Sequence, residues 1–159
     1  MIIPKNETRK FKLGKMSNKI KYVLIHNKNI DKTQICVNVK IGSSMDPLNN
    51  MGLAHFLEHM LFMGNKKYPK EDFFDSHLKK YGGYSNAYTD TFATVYFFQC
   101  NNQGINIAAD CFSEFFKTPL FSKSSVNREI NAINSEHSKN LKQDMWRLIH
   151  FIRMNSKKD

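Results

Sequence analysis

The segment Leu53-Ala54-His55-Phe56-Leu57-Glu58-His59-Met60-Leu61-Phe62 interrupts an apolar run with two imidazoles and one carboxylate. Its spacing predicts a helix from about Gly52 to Met63, with Gly64 where a left-handed C-terminal cap would sit. An apolar helix of this kind needs other structure to cover it. Its ionisable groups then need partners, because uncompensated polar groups on a buried helix are costly. His55 and His59, at i and i+4, lie on one face one turn apart, so both rings can converge on one ion. Glu58 precedes the second His by one residue, about 100° around the helix. From that flank its carboxylate can reach a water on the ion without being a ligand. The order is His-x-x-Glu-His, the inverse of the commoner His-Glu-x-x-His. The bland alternative makes the two His packing or surface residues and Glu58 a solvated acid. An otherwise apolar helix argues against it.

A catalytic zinc takes three protein ligands and keeps one position for water, so a third ligand is required. No further His or Cys stands at helical spacing from the pair. The best candidates are two carboxylates in a polar helix near the C-terminus, Glu129 and Glu136, seven residues apart and so on one face. One can bind the metal while the other orients a ligand. Spacing does not choose between them.

The rest of the chain supplies the scaffold. Lys21–His26 reads as a strand with its turn at Asn27 to Lys32, and Thr33–Ile41 alternates Ile35, Val37, Val39 and Ile41 with polar neighbours. Pro69 opens a second helix, with Glu71 and Asp72 in its first turn, that Gly82-Gly83 ends. Tyr84–Asp90 and Phe92–Cys100 form a hairpin, Gln103–Lys117 a third helix, and Ser124 to about Met154 one long helix. The order β-β-α-α-β-β-α-α predicts an α+β fold: a two-layer sandwich of mostly antiparallel sheet with helices packed on one face. Residues 1–18 are expected to be a polar arm and 19–159 a partial catalytic domain. The domain is expected to be incomplete at its C-terminus, because the chain stops just after the long helix.

Composition narrows the function classes. An apolar share of 41% over 159 residues is enough for a core and too much for a disordered chain. No apolar run approaches the roughly twenty residues that span a bilayer, and no membrane partner is expected. The net charge is +10, yet 20 of the 24 cations are Lys and only four are scattered Arg, which argues against nucleic acid as a partner. Cys36, Cys100 and Cys111 lie at no metal-like spacing, which predicts reduced thiols and a cytoplasmic location.

Three stretches then agree in order and spacing with one family: GLAHFLEHMLFMGNKKYPKEDFF, YGGYSNAYTDTFATVYFF, and NREINAINSEHSKN followed by DMWRL. They resemble the N-terminal catalytic domain of the pitrilysin (insulinase) zinc metallopeptidases, over about Lys12 to Ile152. The resemblance implies one zinc per chain, held by His55, His59 and Glu136, with Glu58 as catalytic base and Glu129 as a supporting acid. It also implies that Ser85, Asn86, Ala87, Tyr88 and Thr89 form the edge strand on which an extended peptide substrate lies. An edge of that kind binds through backbone hydrogen bonds and so tolerates many sequences. Family members close two related halves around the substrate, so a C-terminal homologous half or partner domain is expected. The expected function is zinc-dependent endopeptidase action on extended peptides. The alternative is a catalytically silent fragment or a structural, substrate-binding subunit of the same fold.

Overall fold

The structure is a computed structural model that describes residues 4–156. Its strands are β1 (Lys10–Lys15), β2 (Lys21–His26), β3 (Lys32–Val39), β4 (Tyr84–Thr89) and β5 (Thr94–Asn101). Its helices are α1 (Leu53–Leu61), α2 (Phe73–Lys80), α3 (Ile105–Phe115), α4 (Lys123–Asn140) and α5 (Asp144–Asn155). The strands form two antiparallel sheets among the described residues, a β1-β2 hairpin and a three-stranded sheet ordered β3-β5-β4. The fold is α+β, as expected.

Strand β5 is central and explains where the core lies. Thr94, Tyr96, Phe98 and Cys100 are buried on one face, in strict alternation with half-buried neighbours. Ile35 of β3 and Ser85 of β4 lie opposite Phe98, and Val37 and Ala87 lie opposite Tyr96. Leu61 of α1, Phe74 and Leu78 of α2, and Ala108, Cys111, Phe112 and Phe115 of α3 pack on that same face. The Phe98 ring meets Phe74 and Phe112 edge to face, with centroids 5.4 and 5.0 Å away, the arrangement that aromatic quadrupoles favour.

Four local expectations are corrected. The segment 1–18, expected as an arm, contains β1, which pairs with β2 from Lys10↔His26 to Lys15↔Lys21; residues 1–3 lie outside the described residues. Only Phe11 and Leu13 carry its alternation, and the lysines around them hide the strand signal. Accordingly the turn at Asn27–Lys32 leads from one sheet to the other instead of joining two paired strands. Pro69 does not open α2, which starts at Phe73 with Asp72 at its N-cap. Pro69 lies instead against Gly64, where φ is +85 and an added Cβ would stand 2.9 Å from the Pro69 carbonyl oxygen; the left-handed conformation expected at Gly64 is present and needs a glycine. The single long helix expected from Ser124 to Met154 is two helices. Gln143 adopts an extended conformation (φ −106, ψ 126) and restarts the chain as α5, with Asp144 in the first turn, where a carboxylate suits the helix dipole.

Candidate metal centre

Helix α1 presents two faces with different tasks. Ala54, Met60 and Leu61 go into the interior, while His55 and His59 point away from it and keep about a third and a quarter of their side-chain surface open. Its start is fixed from outside the helix: Asp46 accepts the backbone N–H groups of Gly52 and Ala54, both at 2.8 Å. Those are donors that a helix leaves unpaired. The sequence signalled Asp46 only as a turn former, because the cap acts across six to eight residues.

The imidazoles converge. His55 Nε2 and His59 Nε2 are 3.2 Å apart, with the rings nearly perpendicular at 88°. From α4, Glu136 brings Oε2 to 3.9 Å from His55 Nε2 and 3.7 Å from His59 Nε2. Among the described residues this is the one His, Cys, Asp or Glu trio whose donor atoms gather, all within 4.8 Å of one another. Donors bonded tetrahedrally to zinc at roughly 2.0–2.2 Å stand about 3.3 Å apart. The trio therefore has the composition, open exposure and spacing of a three-ligand zinc site.

Glu129, one face-repeat earlier on α4, takes the other side of His59. Its Oε2 lies 3.0 Å from His59 Nδ1. A carboxylate accepts, so Nδ1 is the donor in this contact, and in that tautomer of the neutral ring the Nε2 lone pair faces His55 and Glu136. A carboxylate behind a ligating His fixes its tautomer and ring orientation in this way. The two acids that spacing left interchangeable thus stand in different places, Glu136 at the Nε2 atoms and Glu129 at Nδ1.

Glu58 points to a third direction. It is 8% exposed, and its Oε2 accepts the Thr89 hydroxyl at 2.5 Å. Burial, followed by the nearby Glu58 charge, pushes the Tyr96 phenol up to about 12, so that neighbour stays neutral. Thr89 was expected only as part of the substrate strand, and its hold on Glu58 joins segments too far apart for any local pattern to show.

Strand β4 lies at the edge of the β3-β5-β4 sheet. Ser85, Ala87 and Thr89 are half-buried, while Asn86 and Tyr88 are exposed, as alternation along a pleat requires. Ala87 packs against the core cluster, so the half-buried face is the helix face. Its N–H donates to the Asn86 Oδ1 at 2.9 Å.

Comparison with known proteins decides the relationship. Residues 21–153 match the family described as Insulinase (Peptidase family M16). The chain belongs to the insulinase family. It is similar to the A-factor-processing enzyme of Saccharomyces cerevisiae, at 48% identity over 91% of this chain and 14% of the yeast protein. It is similar also to the insulin-degrading enzyme of Homo sapiens, at 44% identity over 89% of this chain and 14% of that protein. Among solved structures it resembles pitrilysin, with a TM-score of 0.83 and 32% identity, covering 88% of this chain and 15% of pitrilysin. The chain thus spans about 14% of the length of these curated insulinase relatives. Its His-x-x-Glu-His helix, its α4 carboxylates and its edge strand all lie within the matched residues.

Proposed function

We propose that this chain is the zinc-binding catalytic module of an endopeptidase that cleaves extended peptides. The convergence of His55, His59 and Glu136, with the buried Glu58 next to His59 on the same helix, carries the reading. His55, His59 and Glu136 would hold one zinc per chain, with Glu129 orienting His59. Zinc, when bound there, supplies Lewis-acid polarisation of a scissile carbonyl and lowers the pKa of a coordinated water towards neutrality. Glu58 is the general base: its carboxylate accepts the attacking water's proton and returns it to the departing amine. Thr89 holds one oxygen of that carboxylate and leaves the other free for the transfer. An extended peptide would add to the edge of β4 along Ser85, Asn86, Ala87, Tyr88 and Thr89, through backbone groups that read no side chains.

The relatives are several times longer than this chain. We propose that turnover requires further parts of that architecture, a C-terminal homologous half or an equivalent partner, and that the module described here binds metal by itself. Cys36, Cys100 and Cys111 are free thiols, which supports a reducing, cytoplasmic setting. No helix among the described residues is long and apolar enough to cross a membrane.

Elemental analysis of the purified chain tests the metal site: one zinc per chain is expected, falling to a small fraction in His55→Ala and His59→Ala. Zinc retained at full occupancy in both variants would overturn the assignment. Glu58→Gln, assayed together with the homologous half or partner domain proposed above, is expected to keep zinc and lose peptide hydrolysis. Hydrolysis at the wild-type rate would remove Glu58 from the role of base.

A further inference from the structure

The α4 helix carries two carboxylates of the candidate metal centre, yet little apolar burial fixes its position. Its one fully buried side chain is Ser125, a polar residue in its first turns. The Ser125 hydroxyl donates to Glu71 Oε1 at 2.7 Å, and Arg128 Nη2 donates to both Glu71 oxygens at 2.7 and 2.6 Å. Glu71 itself lies in the turn that leads from α1 into α2, outside the metal centre. One anion therefore grips α4 at two points a turn apart, immediately before Glu129.

The leverage is large. Ser125 and Glu136 are eleven residues apart, about 16 Å along a helix at 1.5 Å per residue. A tilt of about 5° at the Ser125 end moves the Glu136 carboxylate by about 1.4 Å, whereas metal–ligand distances tolerate about 0.2 Å. Among the described residues, the side-chain hydrogen bonds and ion pairs from α4 to α1 are the metal-centre contacts themselves, made by Glu129 and Glu136. Without a separate anchor, the ion would have to draw the helix in and lose binding energy in ordering it.

We propose that Glu71 is a positioning residue for the metal centre, clamping Ser125 and Arg128 so that α4 holds Glu129 and Glu136 ready for the ion. This rests on the zinc site described under Proposed function. Glu71 stays ionised well into the acid range, because the Ser125 hydroxyl and then the Arg128 guanidinium hold its carboxyl below the ordinary value. Arg rather than Lys suits the contact, since a planar guanidinium keeps its direction on both carboxylate oxygens.

Zinc affinity of the intact 159-residue chain, measured by competition with a chromophoric chelator, tests the clamp. Glu71→Gln and Arg128→Met are each expected to weaken zinc binding about tenfold, at the lower end of what lost supporting contacts cost a metal site. The exchanged pair Glu71→Arg/Arg128→Glu should recover most of it. In a Glu129→Gln/Glu136→Gln background the imidazole pair still binds zinc weakly, and there Glu71→Gln should change nothing, because the clamp acts through the α4 carboxylates. Unchanged affinity in both single variants overturns the proposal. So does an equal loss with and without the α4 carboxylates, which would mark general destabilisation. A wild-type chain that takes up no zinc overturns the metal site itself, a result distinct from both.

Discussion

The hydroxyl of Thr89 donates to Glu58 Oε2 at 2.5 Å, tying the edge strand β4 to the carboxylate on α1. Thr89 has a single hydroxyl proton, and Thr94 gives its own to the Ile41 carbonyl at 2.8 Å. The side chain that ends the proposed peptide-docking edge is thus the one that holds the carboxylate proposed as general base. Under that proposal, substrate register and proton transfer would be parts of one geometry.

Replacing that hydroxyl by a methyl should separate the two. Thr89→Val, assayed together with the homologous half or partner domain proposed above, is expected to lower kcat about tenfold with KM little changed, while Thr89→Ser restores the rate. A hydrogen bond to a charged group is worth about 1.5–3 kcal/mol, and part of that orients Glu58 in the transition state. Steady-state kinetics on an internally quenched peptide checks it, with zinc content as control. A Thr89→Val enzyme as fast as wild type would reduce the contact to packing.

Glu129 should matter through His59. Glu129→Leu removes the acceptor at His59 Nδ1, 3.0 Å away, and frees the ring to rotate or change tautomer. Zinc affinity is expected to fall by about 10–100-fold. Glu129→Gln, whose amide oxygen still accepts from Nδ1, should lose less. Isothermal titration of the two variants ranks them, and the reverse order would contradict the assigned tautomer.

Much of this arrangement is legible in the amino-acid sequence, and the pattern of what is not is physical. Helix α1, strand β3, the β4–β5 hairpin and α3 each carry a dense apolar repeat that local spacing reveals. Strand β1 was hidden because lysines surround Phe11 and Leu13. The break at Leu141 to Gln143 was hidden because no glycine or proline marks it. At the site, the i, i+4 imidazoles and the flanking Glu58 are a local pattern on one helix. The different stations of Glu129 and Glu136 are not: equal spacing places both on one face, and only the approach of α4 to α1 gives Nδ1 to one and the Nε2 atoms to the other. Asp46 at the start of α1, Thr89 on Glu58 and Glu71 on α4 are long-range contacts for the same reason.

Zinc should stabilise the chain, because at the proposed site it would join α1 to α4 through His59 and Glu136, 77 positions apart. With free zinc about a thousandfold above Kd, linkage gives about 4 kcal/mol. For a chain of this size that is roughly 10 °C in Tm. Differential scanning fluorimetry with zinc and with chelator measures it, and Glu136→Gln should shrink the gap. Identical melting with and without zinc would mean that the ion does not bridge the helices.

The core makes an independent demand. Phe98 is fully buried at the centre of β5 and touches rings from α2 and α3. Phe98→Ala is expected to cost about 3–5 kcal/mol, the transfer loss plus the cavity left behind. Urea unfolding of the metal-free chain reads this directly. A cost under about 1 kcal/mol would place the sheet–helix interface elsewhere.

Acid sensitivity should trace to Asp110, which locks the loop after α1 onto α3. Its carboxylate takes the Lys67 ammonium at 2.6 Å and the Tyr68 hydroxyl at 2.6 Å. Lys67 first, and then Tyr68, hold its carboxyl below the ordinary value. A carboxyl depressed in the folded state adds stability that is present above its unfolded pKa, about 3.9. That stability is lost as pH falls through the lower folded value, because the unfolded chain then binds the proton more readily. Asp110 keeps 37% of its side-chain surface open to solvent, so screening keeps the effect small. Tm followed from pH 7 down through pH 2 should therefore show Asp110→Asn below wild type at neutral pH, with the two curves converging in acid. A gap that widens on acidification would reverse the sign of the linkage and exclude the Lys67–Asp110–Tyr68 contact as its source.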